Sequence, residues 1–173
     1  MELSMEFLVA AAMAIGAEIG TAVHEKNLVD FDKTELVMGI DENKNGLRDD
    51  FERMLIARVS DDKARNMLFH VQSYAEKAIE FGSTKTIEDT ADAAALADQY
   101  AVNKVFKCLS RQDQNMFNYI LKNVPNTQDR IVATNNFNAA FKKSKYKFKN
   151  EKFDCDAFTA GLPDYVSTQM TLK

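Results

Sequence analysis

From residue 26 onward the apolar positions recur at helical rather than strand spacing. Phe51, Leu55 and Val59 stand four apart with Met54 beside them, which predicts a short helix over 49–59. Ser60 or Asp61 is placed to cap a second helix over roughly 61–81, whose stripe is Leu68, Val71, Ala75 and Ala78 and whose stop is Gly82. Thr86 and Asp89 resemble a capping box ahead of an Ala-rich helix that runs to about Leu109, with Val102, Val105, Phe106 and Leu109 facing inward. Ser110 caps a short helix carrying Met116, Phe117, Ile120 and Leu121, which Pro125 ends. Thr127 starts another, with Ala133, Phe137, Ala140 and Phe141 on one side. The alternation Lys145-Tyr146-Lys147-Phe148-Lys149 predicts a short edge strand, and 154–167 a loop with one helical turn broken by Gly161 and Pro163. No repeat, low-complexity tract or linker divides the chain. The expected architecture is all-α, a single-domain helical bundle with at most one short C-terminal strand.

Composition agrees. A chain of 173 residues suits one domain with a real core. Six Gly and two Pro are few for a turn-rich sandwich, and twelve Phe with eight Met supply bulk in the absence of Trp. A net charge of −4 argues against a nucleic-acid partner. The charge is uneven. Residues 141–152 hold six lysines and one glutamate, whereas residues 1–60 hold twelve acids and six bases. Such runs ordinarily form solvated faces.

Residues 7–17, FLVAAAMAIGA, form an apolar run that admits two readings. One is the hydrophobic region of a secretory signal, with Gly20 and Ala22 near a cleavage point. The run is too short for a membrane span, which needs about 20 residues. The other is an N-terminal helix packed on the core. MELSME lacks the basic residues of an export signal, and Glu18 interrupts the run; the apolar residues also form no clean helical stripe. Export is the reading carried forward, with residues 1–22 as signal or helix, 23–173 as the helical domain, and no integral span in the mature chain.

Residues 41–52 carry the chemistry. Counted from Asp41, oxygen-bearing side chains fall at positions one, three and five (Asp41, Asn43, Asn45), and Gly46 falls at six, where a calcium loop turns sharply. Leu47 offers its carbonyl at seven, Asp49 falls at nine, and Glu52 at twelve can use both oxygens. Calcium takes six to eight hard oxygen ligands, and this spacing wraps them around one point. The expected cofactor is therefore Ca2+. Position eight, apolar in paired EF-hands where it meets a second loop, is here Arg48; with no second copy in the chain, the loop is expected to be unpaired. Arg48 donates no ligand, so its removal is expected to leave calcium binding intact.

The stretch from Met38 to Glu52 resembles one found in uncharacterised exported bacterial proteins with a single EF-hand-like loop, which often read as glycine, an apolar residue, then Asp-x-Asn-x-Asn-Gly-x-Arg-Asp-Asp. Asn126-Thr127-Gln128-Asp129-Arg130 is similar to an Asn-Thr-x-x-Arg helix start in the same group. The resemblance implies a cell-envelope location and calcium at the matching positions, and implies no reaction.

Cys108 and Cys155 are the only cysteines; in an exported protein they read as one disulfide, in a cytosolic one as two buried thiols. His24 and His70 lack zinc-ligand spacing to them, and His70 reads as a packing or surface residue. No nucleophile elbow, P-loop or His-Glu-x-x-His is present, and the adjacent acids Asp61/Asp62 and Glu88/Asp89 sit at expected helix starts. Three functions follow for a periplasmic or secreted protein. The first is a non-enzymatic calcium binder in which the ion is structural. The second is an envelope inhibitor or immunity-type protein that contacts a toxin or hydrolase partner through Lys145, Tyr146, Lys147 and Phe148. The third, a calcium-assisted hydrolase, lacks an evident nucleophile or base.

Overall fold

The computed structural model describes residues 31–34, 37–148 and 151–169. The N-terminal run with its alternative readings, His24 and Lys149 lie outside the described residues. The elements are α1 (Asp49–Arg58), α2 (Asp62–Thr84), α3 (Thr90–Tyr100), α4 (Val102–Cys108), α5 (Arg111–Asn123), α6 (Gln128–Ser144), α7 (Cys155–Ala160) and a 3-10 turn (Val166–Thr168). The protein is all-α, and among the described residues there is no strand. No described helix is long and apolar enough to cross a membrane.

Helix α2 is the axis. Its 23 residues extend about 35 Å, and α1, α3, α4, α5 and α6 all pack on it. Asp61 starts it by accepting the Ala64 N–H at 2.7 Å. The expected stripe of Leu68, Val71, Ala75 and Ala78 is buried, but so are His70, Gln72, Ser73 and Glu76 between those positions. The helix is enclosed nearly all round, and its polar residues face protein rather than water. Ser110 and Thr127 cap α5 and α6 as their positions predict.

Four expectations are corrected. Gly82 does not stop α2; the helix continues to Thr84. Its glycine is a contact point, because a Cβ there would overlap the Ala133 carbonyl of α6, and Asn136 Nδ2 donates to the Gly82 carbonyl at 3.1 Å. Thr86 and Asp89 do not open the next helix. The Asp89 carboxylate accepts the Thr86 N–H and hydroxyl instead, closing a turn, and α3 begins at Thr90. The Ala-rich helix is two helices, broken at Ala101 with φ 43°. The break frees the Tyr100 carbonyl to accept from His70 Nε2 at 2.9 Å. Finally, 145–148 is not a strand. Lys145 ends α6 at φ 56°, and Tyr146 and Phe148 fold back on Phe141, with ring centroids 6.0 and 5.9 Å away. The alternation turns half-buried aromatics inward and exposes lysines, with no neighbouring strand among the described residues.

The tail is tied down. Cys108 at the end of α4 and Cys155 at the start of α7 lie at disulfide distance, with Cα atoms 5.5 Å apart. Closing the 47-residue separation contributes roughly 4 kcal/mol by chain entropy. Asn66 holds the following turn, donating to the Pro163 carbonyl at 2.9 Å and accepting the Tyr165 N–H at 2.8 Å.

The α2–α6 contact gives a direct test. Alanine at Gly82 gains about 1 kcal/mol of helix propensity but must push apart two packed backbones. Gly82→Ala should therefore lower the thermal midpoint, with a net loss of about 2 kcal/mol or more. At Gly161 an added Cβ meets only carbonyl oxygens, the nearest at 3.5 Å, so Gly161→Ala should stay within about 0.5 kcal/mol.

Candidate calcium loop

The 41–52 segment is a tight loop whose own side chains hold its shape. The Asp41 carboxylate accepts the Asn45 N–H at 3.1 Å and the Gly46 N–H at 2.8 Å. Asn43 and Asn45 each accept the N–H two residues on, at 3.2 and 3.0 Å. Lys44 and Gly46 take positive φ, 57° and 82°. Glu52, fully buried in the first turns of α1, receives the side-chain amides of Asn43 at 3.2 Å and Asn45 at 3.1 Å. Asp49, also buried, accepts the Glu42 N–H at 3.3 Å, and its own N–H donates to the Ile40 carbonyl at 3.0 Å. Burial pushes the Asp49 carboxyl up, the Glu42 N–H and Arg53 pull it down, and the charges of Glu42 and Asp41 push it up again; the net direction is upward.

The sequence-derived ligand set is thus brought to one loop. Its donors are carboxylate, amide and carbonyl oxygens, which suit calcium and not a soft metal. Among the described residues no three carboxylate, imidazole or thiolate side chains form a ready metal cluster. The set works only with the amide oxygens and the Leu47 carbonyl included, and only if the two asparagine amides turn. Each amide oxygen has two lone pairs and can keep its turn hydrogen bond while facing a cation.

Sequence reasoning missed what holds this loop. Arg48 is one of the largest fully buried side chains in the molecule, 1% exposed. One guanidinium nitrogen donates to the Val124 carbonyl at 2.8 Å. The other donates to Asp50 at 2.6 Å and to the Asp32 carbonyl at 3.3 Å. The guanidinium lies 5.1 Å from the Phe51 ring centre. Gly39, at φ 77°, leaves room for its stem: a Cβ there would stand 2.7 Å from Arg48 Cδ. The backbone of Arg48 is held as well. Its N–H donates to Glu76 Oε1 at 3.0 Å, and its carbonyl accepts from Gln72 Nε2 at 3.0 Å.

A second buried arginine completes the arrangement. Arg130, 0% exposed, donates to the Val37 carbonyl at 3.0 Å, to the Asp32 carbonyl and Asn126 Oδ1 at 2.6 Å each, and to the Asp32 carboxylate at 3.1 Å. Burial would raise the Asp32 pKa, but the Thr34 and Ile40 N–H groups and Arg130 outweigh it and hold the carboxyl below its ordinary range. The stretches around Gly39–Asp50 and Asn126–Arg130, far apart in sequence, therefore meet through Arg48, Asn126 and Asp32.

The other singled-out residues have structural partners. Asp61 caps α2, Asp62 pairs with Arg65, Glu88 pairs with Lys143 at 2.5 Å, and Asp89 closes its turn. His70 is buried against Tyr100, with ring centres 4.8 Å apart; burial lowers its pKa against the opposing pull of the Tyr100 carbonyl. It borders a cleft of about 440 Å3 shared with Tyr100, Phe158, Leu162 and Tyr165. In the expected partner patch, Lys145 and Lys147 are exposed, while Phe148 is half-buried and the Tyr146 hydroxyl is bonded to Asp98. No protein-family model, curated protein or solved structure matches the chain.

Two outcomes follow. Arg48→Ala is not a neutral change, because it leaves Asp50 buried without its cation; it should cost about 3 kcal/mol or more in urea unfolding. Arg53→Ala, half exposed and 4.0 Å from Asp49, should cost under about 1 kcal/mol. The second concerns Glu76, whose pKa burial raises from 4.5 to about 7, with Gln72 and Arg48 pulling the other way. Between those values the calcium-free folded chain holds a proton that the unfolded chain has released. Stability from this group is thus full below 4.5 and lost as pH rises through 7. His70 works in the opposite sense below pH 6.5. The test is therefore a difference: from pH 8 to pH 6 in chelator, wild type should gain stability relative to Glu76→Gln, and parallel profiles would contradict this.

Proposed function

We propose that this protein binds one calcium ion in the 41–52 loop and uses it structurally, without catalysing a reaction, in the bacterial periplasm or exterior. The observation that carries the reading is the convergence of Asn43 and Asn45 on the buried Glu52, while Asp41 holds the Asn45 and Gly46 N–H groups. Asp41, Asn43, Asn45, Asp49 and Glu52 supply side-chain oxygens and Leu47 its carbonyl. Calcium neutralises the three carboxylates and fixes the entry to α1. The cysteine pair at disulfide distance supports an oxidising compartment.

An envelope inhibitor or immunity-type role is the second reading. Its support is the outward pair Lys145 and Lys147, raised on the ring cluster of Phe141, Tyr146 and Phe148. That surface is compatible with calcium binding elsewhere and would select an acidic protein partner.

The experiment is a set of melting curves in chelator, calcium and magnesium. A ligand that binds only the folded state at a hundred times its dissociation constant adds about 2.7 kcal/mol, or roughly 5–10 °C for a chain of this size. Magnesium should do much less, since it prefers six short bonds and uses a bidentate carboxylate poorly. Glu52→Gln should lose most of the calcium increment. Identical wild-type melting in chelator and in millimolar-scale calcium, with no heat of binding, would refute the site.

A further inference from the structure

We propose that Glu76 and Gln72 of α2 are the positioning pair of the calcium loop, standing in for the second loop of a paired hand, and that the negative charge of Glu76 strengthens calcium binding through the Leu47–Arg48 peptide. The proposal rests on the calcium reading and adds to it a residue outside the twelve-residue loop.

The geometry is specific. One peptide unit joins Leu47 to Arg48. Its carbonyl is the ligand of position seven, and its N–H donates to Glu76 Oε1 at 3.0 Å. The next carbonyl, that of Arg48, accepts from Gln72 Nε2 at 3.0 Å and from the Glu52 N–H at 3.0 Å. Position eight therefore has both backbone groups satisfied by side chains one helical turn apart on α2. A paired hand satisfies that residue through a short strand contact with another loop; here one helix face does so. Gln72 also donates to Glu76 Oε1 at 2.9 Å, which sets the carboxylate's orientation. The whole assembly is buried: Gln72 is 0% and Glu76 4% exposed.

The charge has a consequence of its own. An anion accepting a peptide N–H polarises that peptide and makes its carbonyl oxygen more negative. Among the described residues Glu76 forms no direct ion pair: the Arg48 guanidinium, whose charge acts on it, is hydrogen-bonded instead to Asp50, the Val124 carbonyl and the Asp32 carbonyl. Its negative charge is therefore left to act on the loop, and a divalent cation at the Leu47 carbonyl would relieve it. Gln72 in turn links Glu52, whose N–H shares the Arg48 carbonyl, to α2, so the ligands at seven and twelve are placed by one interaction network.

Glu76→Gln is the test, because the amide keeps the shape and the acceptor while losing the charge. Calorimetric titration of the full chain with calcium chloride at pH 8 should show binding weakened roughly tenfold. Melting in chelator at the same pH should be unchanged or higher, since an uncompensated buried charge is gone. The amide proton of Arg48 and the carbonyl carbon of Leu47 should both move upfield in the variant's NMR spectrum, a response that packing alone does not produce. Wild-type affinity in Glu76→Gln would overturn this proposal and leave the calcium site standing. Lower stability in chelator with the affinity change and no shift at Leu47 would reduce Glu76 to a packing role and overturn it too. If wild type itself gives no heat with calcium, while chelator melting is normal, the calcium reading falls and takes this one with it. Should Glu76→Gln not fold, Gln72→Leu tests the same pair: the Arg48 carbonyl, left with the Glu52 N–H alone, should weaken calcium binding with little change at the Leu47 resonance, and wild-type affinity in that variant would overturn the pair's role.

Discussion

The burial of one guanidinium organises this molecule. Taking the Arg48 side chain out of water costs several kcal/mol, and the cost is offset only because four separate segments converge on it. Asp50 supplies the counter-charge, the end of α5 supplies the Val124 carbonyl, and the segment before the loop supplies the Asp32 carbonyl. Helix α2 takes the backbone on either side of the same residue. An arginine held at so many points cannot shift independently of them. The loop, the first turn of α1, the middle of α2 and the α5–α6 turn are therefore one rigid unit.

Charge balance within that unit explains its second property. Arg48 and Arg130 are matched by Asp50 and Asp32, and those four ions share hydrogen bonds through Asn126 and the Asp32 carbonyl. Glu76 stands apart from these two pairs, and the loop adds the carboxylates Asp41, Asp49, which Arg53 approaches at 4.0 Å, and Glu52. The side-chain amides of Asn43 and Asn45 donate to Glu52. Desolvation lifts the Glu76 pKa and contributes most to the upward shift at Asp49. Buried carboxylates gathered beside a sharp oxygen-lined turn are groups that a hard cation would stabilise.

Most of the helical framework was legible from side-chain periodicity and caps. Asp61, Ser110 and Thr127 start helices because each offers an oxygen to an otherwise unpaired N–H, a purely local preference. The features that escaped are tertiary. Gly82 looks like a stop because glycine ends many helices, yet here it answers to the backbone of α6, which no local pattern reveals. Ala101 has no breaking tendency; its helix breaks where the Tyr100 carbonyl meets His70 across the interior. Lys145–Phe148 has strand periodicity but no neighbouring strand among the described residues, and Phe141 supplies the apolar surface instead. The loop was legible as a ligand pattern because turn-forming and oxygen-bearing residues fall at fixed spacing. Its support was not, since an arginine at position eight reads only as the mark of an unpaired loop until the acids and carbonyls around it are brought together by the fold.

The tail then closes the loop from outside. Asn45 Nδ2, besides reaching Glu52, donates to the Thr168 carbonyl at 3.3 Å. Arg65 Nε meets Gln169 at 3.1 Å, while another Arg65 nitrogen holds the Val59 carbonyl at 2.6 Å at the α1–α2 turn. The segment that makes these contacts follows α7, which Cys155 joins to α4. Leu162, Tyr165 and Val166 of that stretch pack on the core while remaining partly exposed, and the cysteine joint and the Asn66 and Arg65 contacts add to their hold. In the basic run, Lys143 pairs with Glu88 and Tyr146 turns to Asp98. The acidic loop is bounded by α2 on its inner side and by the Thr168 carbonyl of the tail on its outer side, while Arg53 approaches its Asp49 at 4.0 Å. The neighbouring segments thus give the loop its shape chiefly through backbone and amide contacts.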